Sequence, residues 1–142
     1  MRFLNSKLKI ENTILQNIAK KYGTPAYCYS YKQLRENIND FKKNFKSISP
    51  LICFAIKSNT NLNLIKEIKK FGLGADVVSM GELMLALKAG ISPKKIVFSG
   101  VGKTSKEINF AIDKNILLIN SCLLYTSPSP RDQRGSRMPG CG

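Results

Sequence analysis

Leu51-Ile-Cys-Phe-Ala-Ile56 is a continuous apolar run, and Lys57 follows it directly. An apolar run with no polar interruption suits a strand buried on both faces, as strands of parallel sheets are. Three further runs, Ala75-Asp-Val-Val78, Ile96-Val-Phe98 and Ile116-Leu-Leu-Ile119, recur at roughly the length of one βα unit. Between them the apolar residues take helical spacing: Leu62, Ile65 and Ile68, then Leu83 and Leu87, then Ile108 and Ile112. Short strands alternating with helices predict right-handed βαβ units and a parallel sheet.

Upstream, Tyr31, Leu34, Ile38, Phe41 and Phe45 give another helix one apolar face. Ile10, Ile14 and Ile18 predict a leading helix, and Ala26-Tyr-Cys-Tyr29 a short additional strand. Ser30 with Gln33, Ser79 with Glu82 and Thr104 with Glu107 have the spacing of capping boxes. Helix ends fall at Gly23, at Gly72 or Gly74, and at Gly90, with Pro93 blocking continuation into the next strand.

In a parallel βα architecture the working residues gather at the C-terminal ends of the strands. Lys57 has that position on the first run, Asp76 lies on the second, and Ser99-Gly100 closes the third. Desolvation at the end of a buried strand favours the neutral amine, which can attack a carbonyl in Schiff-base chemistry. The ordinary alternative is a lysine that snorkels from the strand end to solvent. For Asp76 the alternative is an aspartate that caps a loop. Gly100-Val-Gly-Lys-Thr104 looks like the end of a phosphate-binding loop, but Val97 stands where that motif needs its first glycine, so the cradle of backbone amides is not encoded.

Composition narrows the function. With 142 residues, 43% of them hydrophobic and 23% charged, one globular domain is the default. No apolar stretch approaches the roughly eighteen residues that a membrane span needs. The N-terminus lacks an apolar signal core, which predicts a cytoplasmic protein. There is no histidine, and the four cysteines form no C-x-x-C pair, so neither a zinc site nor a Ser-His or Cys-His pair is expected. Cys28 and Cys53 sit in apolar runs that suit buried, reduced thiols. The net charge of +14 invites a nucleic-acid reading. Yet in the body of the chain that charge is almost all lysine, scattered over every expected helix, whereas phosphate and base recognition favours arginine's planar fork. A solvated surface accounts for it without nucleic acid.

From Ser121 the chain reads SCLLYTSPSPRDQRGSRMPGCG, with neither helical nor strand period, recurrent proline, and only arginine for its basic residues. Residues 1–120 are therefore read as the native part and 121–142 as a tail, foreign (a translated adapter) or disordered.

The words around the lysine carry a resemblance. Cys53-Phe-Ala-Ile-Lys-Ser-Asn-Thr-Asn61 resembles the lysine motif of the barrel-type pyridoxal-phosphate decarboxylases, the group that contains diaminopimelate, ornithine and arginine decarboxylases. Gly74-Ala-Asp-Val-Val-Ser-Met-Gly-Glu-Leu83 and Phe98-Ser-Gly-Val-Gly-Lys-Thr104 extend the match in order, and together look most like the diaminopimelate branch. The resemblance implies an α/β fold: the first four or five strands of a parallel (β/α)8 TIM-type barrel, with the C-terminal β domain missing. It implies pyridoxal 5'-phosphate as cofactor, held covalently by Lys57 with Asp76 beside it, and an amino-acid substrate, meso-diaminopimelate, decarboxylated to lysine. Ser79 and Glu82 belong to the motif, but capping explains them without catalysis. The intact protein is expected to be a homodimer with no nucleic-acid or membrane partner. The group's ring-stacking histidine, Gly-rich phosphate loop, pyridine-nitrogen glutamate and partner-subunit cysteine lie past the end of this chain, so the polypeptide as given is expected to be inactive and aggregation-prone. A racemase-like or small pyridoxal-phosphate-binding relative, a cofactor-free Schiff-base aldolase, and a basic binding module are the other readings.

Overall fold

The computed structural model describes residues 2–4 and 7–121, and they fall into two units divided after Pro50. In the first unit β1 (Arg2–Leu4), β2 (Lys7–Ile10) and β3 (Thr13–Ile14) form an antiparallel meander in that order, with Arg2 opposite Lys9 and Lys9 opposite Ile14. The leading helix expected from Ile10, Ile14 and Ile18 is thereby corrected. Lys7-Leu-Lys-Ile10 also alternates with period two, and pairing with β1 decides for the strand. Only from Leu15 does the chain turn helical, as α1 (Leu15–Tyr22), which ends at Gly23 with φ 81°. The strand expected at 26–29 does not form, and Tyr27 there is 89% exposed.

Helix α2 (Tyr31–Asn44) is capped by Ser30, whose hydroxyl accepts from Gln33 N at 3.0 Å and donates to Glu11 Oε1 at 2.6 Å. Glu11 Oε1 also accepts from Lys32 N at 2.8 Å. The Ser30 hydroxyl first, and then the Lys32 amide, hold the Glu11 carboxyl below the usual carboxylate range. Gln33 bonds Asn37 instead of returning to Ser30, so this cap is one-sided. Of the five apolar positions read for this helix, only Ile38 is buried.

The second unit holds the parallel sheet. Its strands are β4 (Cys53–Ala55), β5 (Gly74–Val77), β6 (Ile96–Phe98) and β7 (Leu118–Ile119), hydrogen-bonded in chain order. Helices α3 (Leu62–Lys70), α4 (Met80–Lys88) and α5 (Ser105–Asp113) connect them. Four parallel strands are thus present, a partial α/β barrel, each where an apolar run predicts it. Helix α3 ends at Gly72, whose φ of 77° is open to glycine at little cost. Gly74 has a different reason to be glycine: a Cβ there would collide with the Lys95 carbonyl oxygen and lie 2.9 Å from Cys53 Sγ.

Registers sort the strand residues onto two faces. Ala75 pairs with Ile96 and Val77 with Phe98, and all four are fully buried against Ile65, Leu83, Ala86 and Ala111 of the helices. Ala55, Asp76, Val97 and Leu118 form the intervening row on the opposite face, and none of them is buried. The sequence predicts a first strand covered on both faces, and the structure corrects this: Ile56 is buried, but Cys53, Phe54 and Ala55 are half-buried. It lies at the sheet edge, and its inward face looks into what a closed barrel would fill. Cys28 and Cys53 are free thiols, as expected, but only half-buried. No helix among the described residues is long and apolar enough to cross a membrane. Apart from Ser121, the tail read as foreign lies outside the described residues.

Candidate functional site at the C-terminal end of the sheet

Strand β4 runs straight into a 3-10 turn, Ile56–Ser58. Ile56 is fully buried and anchors this turn, Asn59 N donates to Ile56 O at 2.9 Å, and Ser58 Oγ donates to Ala55 O at 2.7 Å. Lys57, between those anchors, is exposed at the C-terminal end of the strand. The desolvation expected around its amine is thus not supplied by the described residues. Asn61 then caps α3 by accepting from Asn63 N at 2.9 Å.

Asp76 sits on the neighbouring strand, in register between Ala55 and Val97. Its Oδ1 is buried and has no hydrogen-bond partner. A buried acceptor without a donor is costly, about 1–3 kcal/mol, and such atoms call for a reason. Cys53, on the same face one step back, has its thiol pushed up by burial, with the Asp76 carboxylate adding to the shift. It is a poor nucleophile there.

Above this row the strands end in polar groups. Ser99 N donates to Val77 O at 2.8 Å and Asn120 N to Phe98 O at 2.9 Å, continuing the ladders past the last strand residues. Asn120 Nδ2 approaches Ser99 Oγ at 3.4 Å. Ser79 caps α4 by accepting from Glu82 N at 3.3 Å, while Glu82 Oε2 accepts from Val78 N at 2.9 Å, so both act as capping groups. Thr104 and Glu107 complete a full capping box.

Lys57 and Asp76 therefore lie at the same end of adjacent strands, as the sequence places them. Sequence reasoning missed Lys103. Set aside with the false phosphate loop, it is the one buried charged side chain among the described residues, 7% exposed, and donates to the carbonyl oxygens of Gly100 and Asn120. A lysine inside a glycine-rich loop after an apolar strand was its only sequence signal.

A parallel βα sheet that brings a lysine and a carboxylate with one unpartnered oxygen to the same end of adjacent strands has the layout of a βα-barrel site, the class that includes pyridoxal enzymes. Residues 31–122 match the family model described as pyridoxal-dependent decarboxylase, pyridoxal binding domain, and the chain belongs to that family. It is 44% identical over 120 residues to a diaminopimelate decarboxylase of Aquifex aeolicus, covering 84% of this chain and 28% of the relative. It is 45% identical over 105 residues to the diaminopimelate decarboxylase of Helicobacter pylori strain J99, covering 74% and 26%. The crystal structure of M. jannaschii diaminopimelate decarboxylase in co-complex with L-lysine superposes with a TM-score of 0.78 at 36% identity, over 82% of this chain and 28% of that one. The chain thus spans little more than a quarter of the length of the relatives it matches.

Proposed function

We propose that this chain supplies the cofactor-anchoring part of a decarboxylase that converts meso-diaminopimelate to L-lysine. Lys57 is the residue that attaches pyridoxal 5'-phosphate, and Asp76 is the carboxylate that steadies the attachment. The observation that carries this reading is Asp76 Oδ1, a buried acceptor with no donor, one strand away from an exposed lysine. The residues fit the cofactor: a primary amine to join its aldehyde, and a carboxylate free to accept a hydrogen bond from a protonated nitrogen. When bound, pyridoxal phosphate supplies the electron sink that lets the bond between Cα and the carboxylate break. Lys57 supplies the amine and holds the cofactor in place. Asp76 would favour a proton on a nitrogen held there, and the half-buried Ala55 and Val97 lie in the same row of the sheet.

Four strands do not close a barrel. Turnover therefore belongs to a protein of the relatives' extent, and anchoring belongs to residues 51–120. A cytoplasmic homodimer is the assembly that goes with this reading.

The test is to incubate the chain with pyridoxal phosphate, reduce with borohydride and map the modified peptides by mass spectrometry. Lys57 is expected to be modified well ahead of the other lysines. Labelling spread over lysines in proportion to their exposure would sink the proposal.

Asp76 leads to a prediction with opposite signs. Asp76→Ala removes a buried, unpartnered acceptor and should raise unfolding stability by about 1 kcal/mol. The same change should lower the yield of pyridoxyl-Lys57. A urea titration alongside the labelling assay checks both, and a fall in stability would show that Asp76 has a structural partner.

A further inference from the structure

Capping explains only half of what Glu107 does. In the first turn of α5 its Oε2 accepts from Thr104 N at 3.0 Å and from Thr104 Oγ1 at 2.9 Å. Its Oε1 reaches across to the preceding βα unit and accepts from Met80 N at 3.0 Å. Met80 opens α4, at the end of the loop that leaves β5 just past Asp76. That loop is held at two points, Val78 by Glu82 and Met80 by Glu107. The Thr104 amide, the Met80 amide and the Thr104 hydroxyl keep the Glu107 carboxyl below the usual carboxylate range, so it is a charged acceptor under ordinary conditions.

Lys103 continues the connection in the other direction. Its Nζ donates to Gly100 O on its own loop and to Asn120 O just past β7, and lies 5.5 Å from the centre of the Phe98 ring. Gly100 packs directly against Val78, where a Cβ would collide with the Val78 carbonyl oxygen. The segment Gly100–Glu107 therefore touches the loop after β5 on one side and the end of β7 on the other. Three successive βα units are joined at the end of the sheet that carries Lys57.

We propose that Lys103 and Glu107 are positioning residues for the Lys57–Asp76 site. This rests on the reading of Lys57 and Asp76 given above. The physical need is plain: Asp76 Oδ1 has no hydrogen bond of its own, so the backbone of β5 and its loop sets where that oxygen lies. Glu107 fixes that loop through Met80, and Lys103 ties the loop carrying Glu107 to β7. Both use charged hydrogen bonds, which hold geometry more tightly than neutral ones.

The competing account is that Glu107 merely caps α5, and the two separate in a pair of variants of the full chain. Thr104→Ala removes both bonds of the capping hydroxyl and leaves the Met80 contact. Glu107→Ala removes the Met80 contact and the carboxylate half of the box, while the Thr104 hydroxyl still accepts from the amide of residue 107. A positioning role predicts that Glu107→Ala speeds hydrogen exchange of the Met80 amide about tenfold or more, as loss of one bond to a charged acceptor implies. It also predicts that the pyridoxyl yield at Lys57 falls several-fold. Thr104→Ala should leave both close to wild type, and Glu107→Gln, which keeps one acceptor oxygen, should restore much of each. Lys103→Met should lower the yield at Lys57 and speed Met80 exchange by less than Glu107→Ala does, and Lys103→Arg should recover part of both. Equal effects of Thr104→Ala and Glu107→Ala would reduce Glu107 to a cap and overturn the proposal. So would faster Met80 exchange with Lys57 labelling unchanged. A wild-type chain that labels without selectivity overturns the proposed function instead. In that case Met80 exchange still tells whether the connection between the two loops exists.

Discussion

Replacing Lys57 with alanine is expected to abolish the selective pyridoxyl adduct while leaving the fold intact. The side chain is exposed in a turn anchored by Ile56 and by hydrogen bonds of the Asn59 amide and the Ser58 hydroxyl, none of which involves the amine. Surface substitutions of this kind usually shift stability by no more than about 0.5 kcal/mol. Lys57→Arg should fail equally, because a guanidinium stays protonated and does not add to an aldehyde. Mass mapping after borohydride, with a thermal melt of each variant, reads both halves. An alanine variant that takes up cofactor at wild-type yield would move the anchoring role to another lysine.

The second large effect concerns Phe98. It is fully buried at the end of β6, pairs in register with Val77 and Ile119, and is among the largest wholly buried side chains of the unit. Truncating such a ring costs about 3–5 kcal/mol through lost contacts and the cavity left behind. That is a large share of the roughly 5–15 kcal/mol that holds a typical domain together. Phe98 is also the surface on which Lys103 rests, so Phe98→Ala takes away the support of a buried cation. Urea titration should show a much lower midpoint, and Phe98→Leu, which keeps most of the volume, should fall between the two. A midpoint unchanged in Phe98→Ala would mean that the helix-facing layer is not the core of this unit.

The parallel part of the fold was legible because its signals are local. Apolar runs, helical spacing and caps at Ser79, Thr104 and Gly72 each act within a few residues, and each reappears in the structure. Where two local periods compete, the sequence is silent. Ile10 and Ile14 satisfy a helix, Leu8 and Ile10 satisfy a strand, and only pairing with residues 2–4 settles the matter. Local motifs placed Lys57 and Asp76 at one end of the sheet, but they could not show that Lys57 would be exposed or that Asp76 would lack a donor. The contact between Glu107 and Met80 was not legible at all, since it joins residues 27 apart and a capping box already accounts for Glu107. Lys103 was hidden by its resemblance to a different motif.

The strand order β4-β5-β6-β7 bears on how this region comes to be folded at all. Every strand pairs with the next one made, so each βα unit can dock on its predecessor as synthesis proceeds, and the loops closed are short ones. The segment carrying Lys57 emerges first and gains its first neighbour when β5 arrives, bringing Asp76 with it. The two residues of the proposed site are therefore brought side by side by the earliest pairing in the sheet, before Phe98 or Lys103 has left the ribosome.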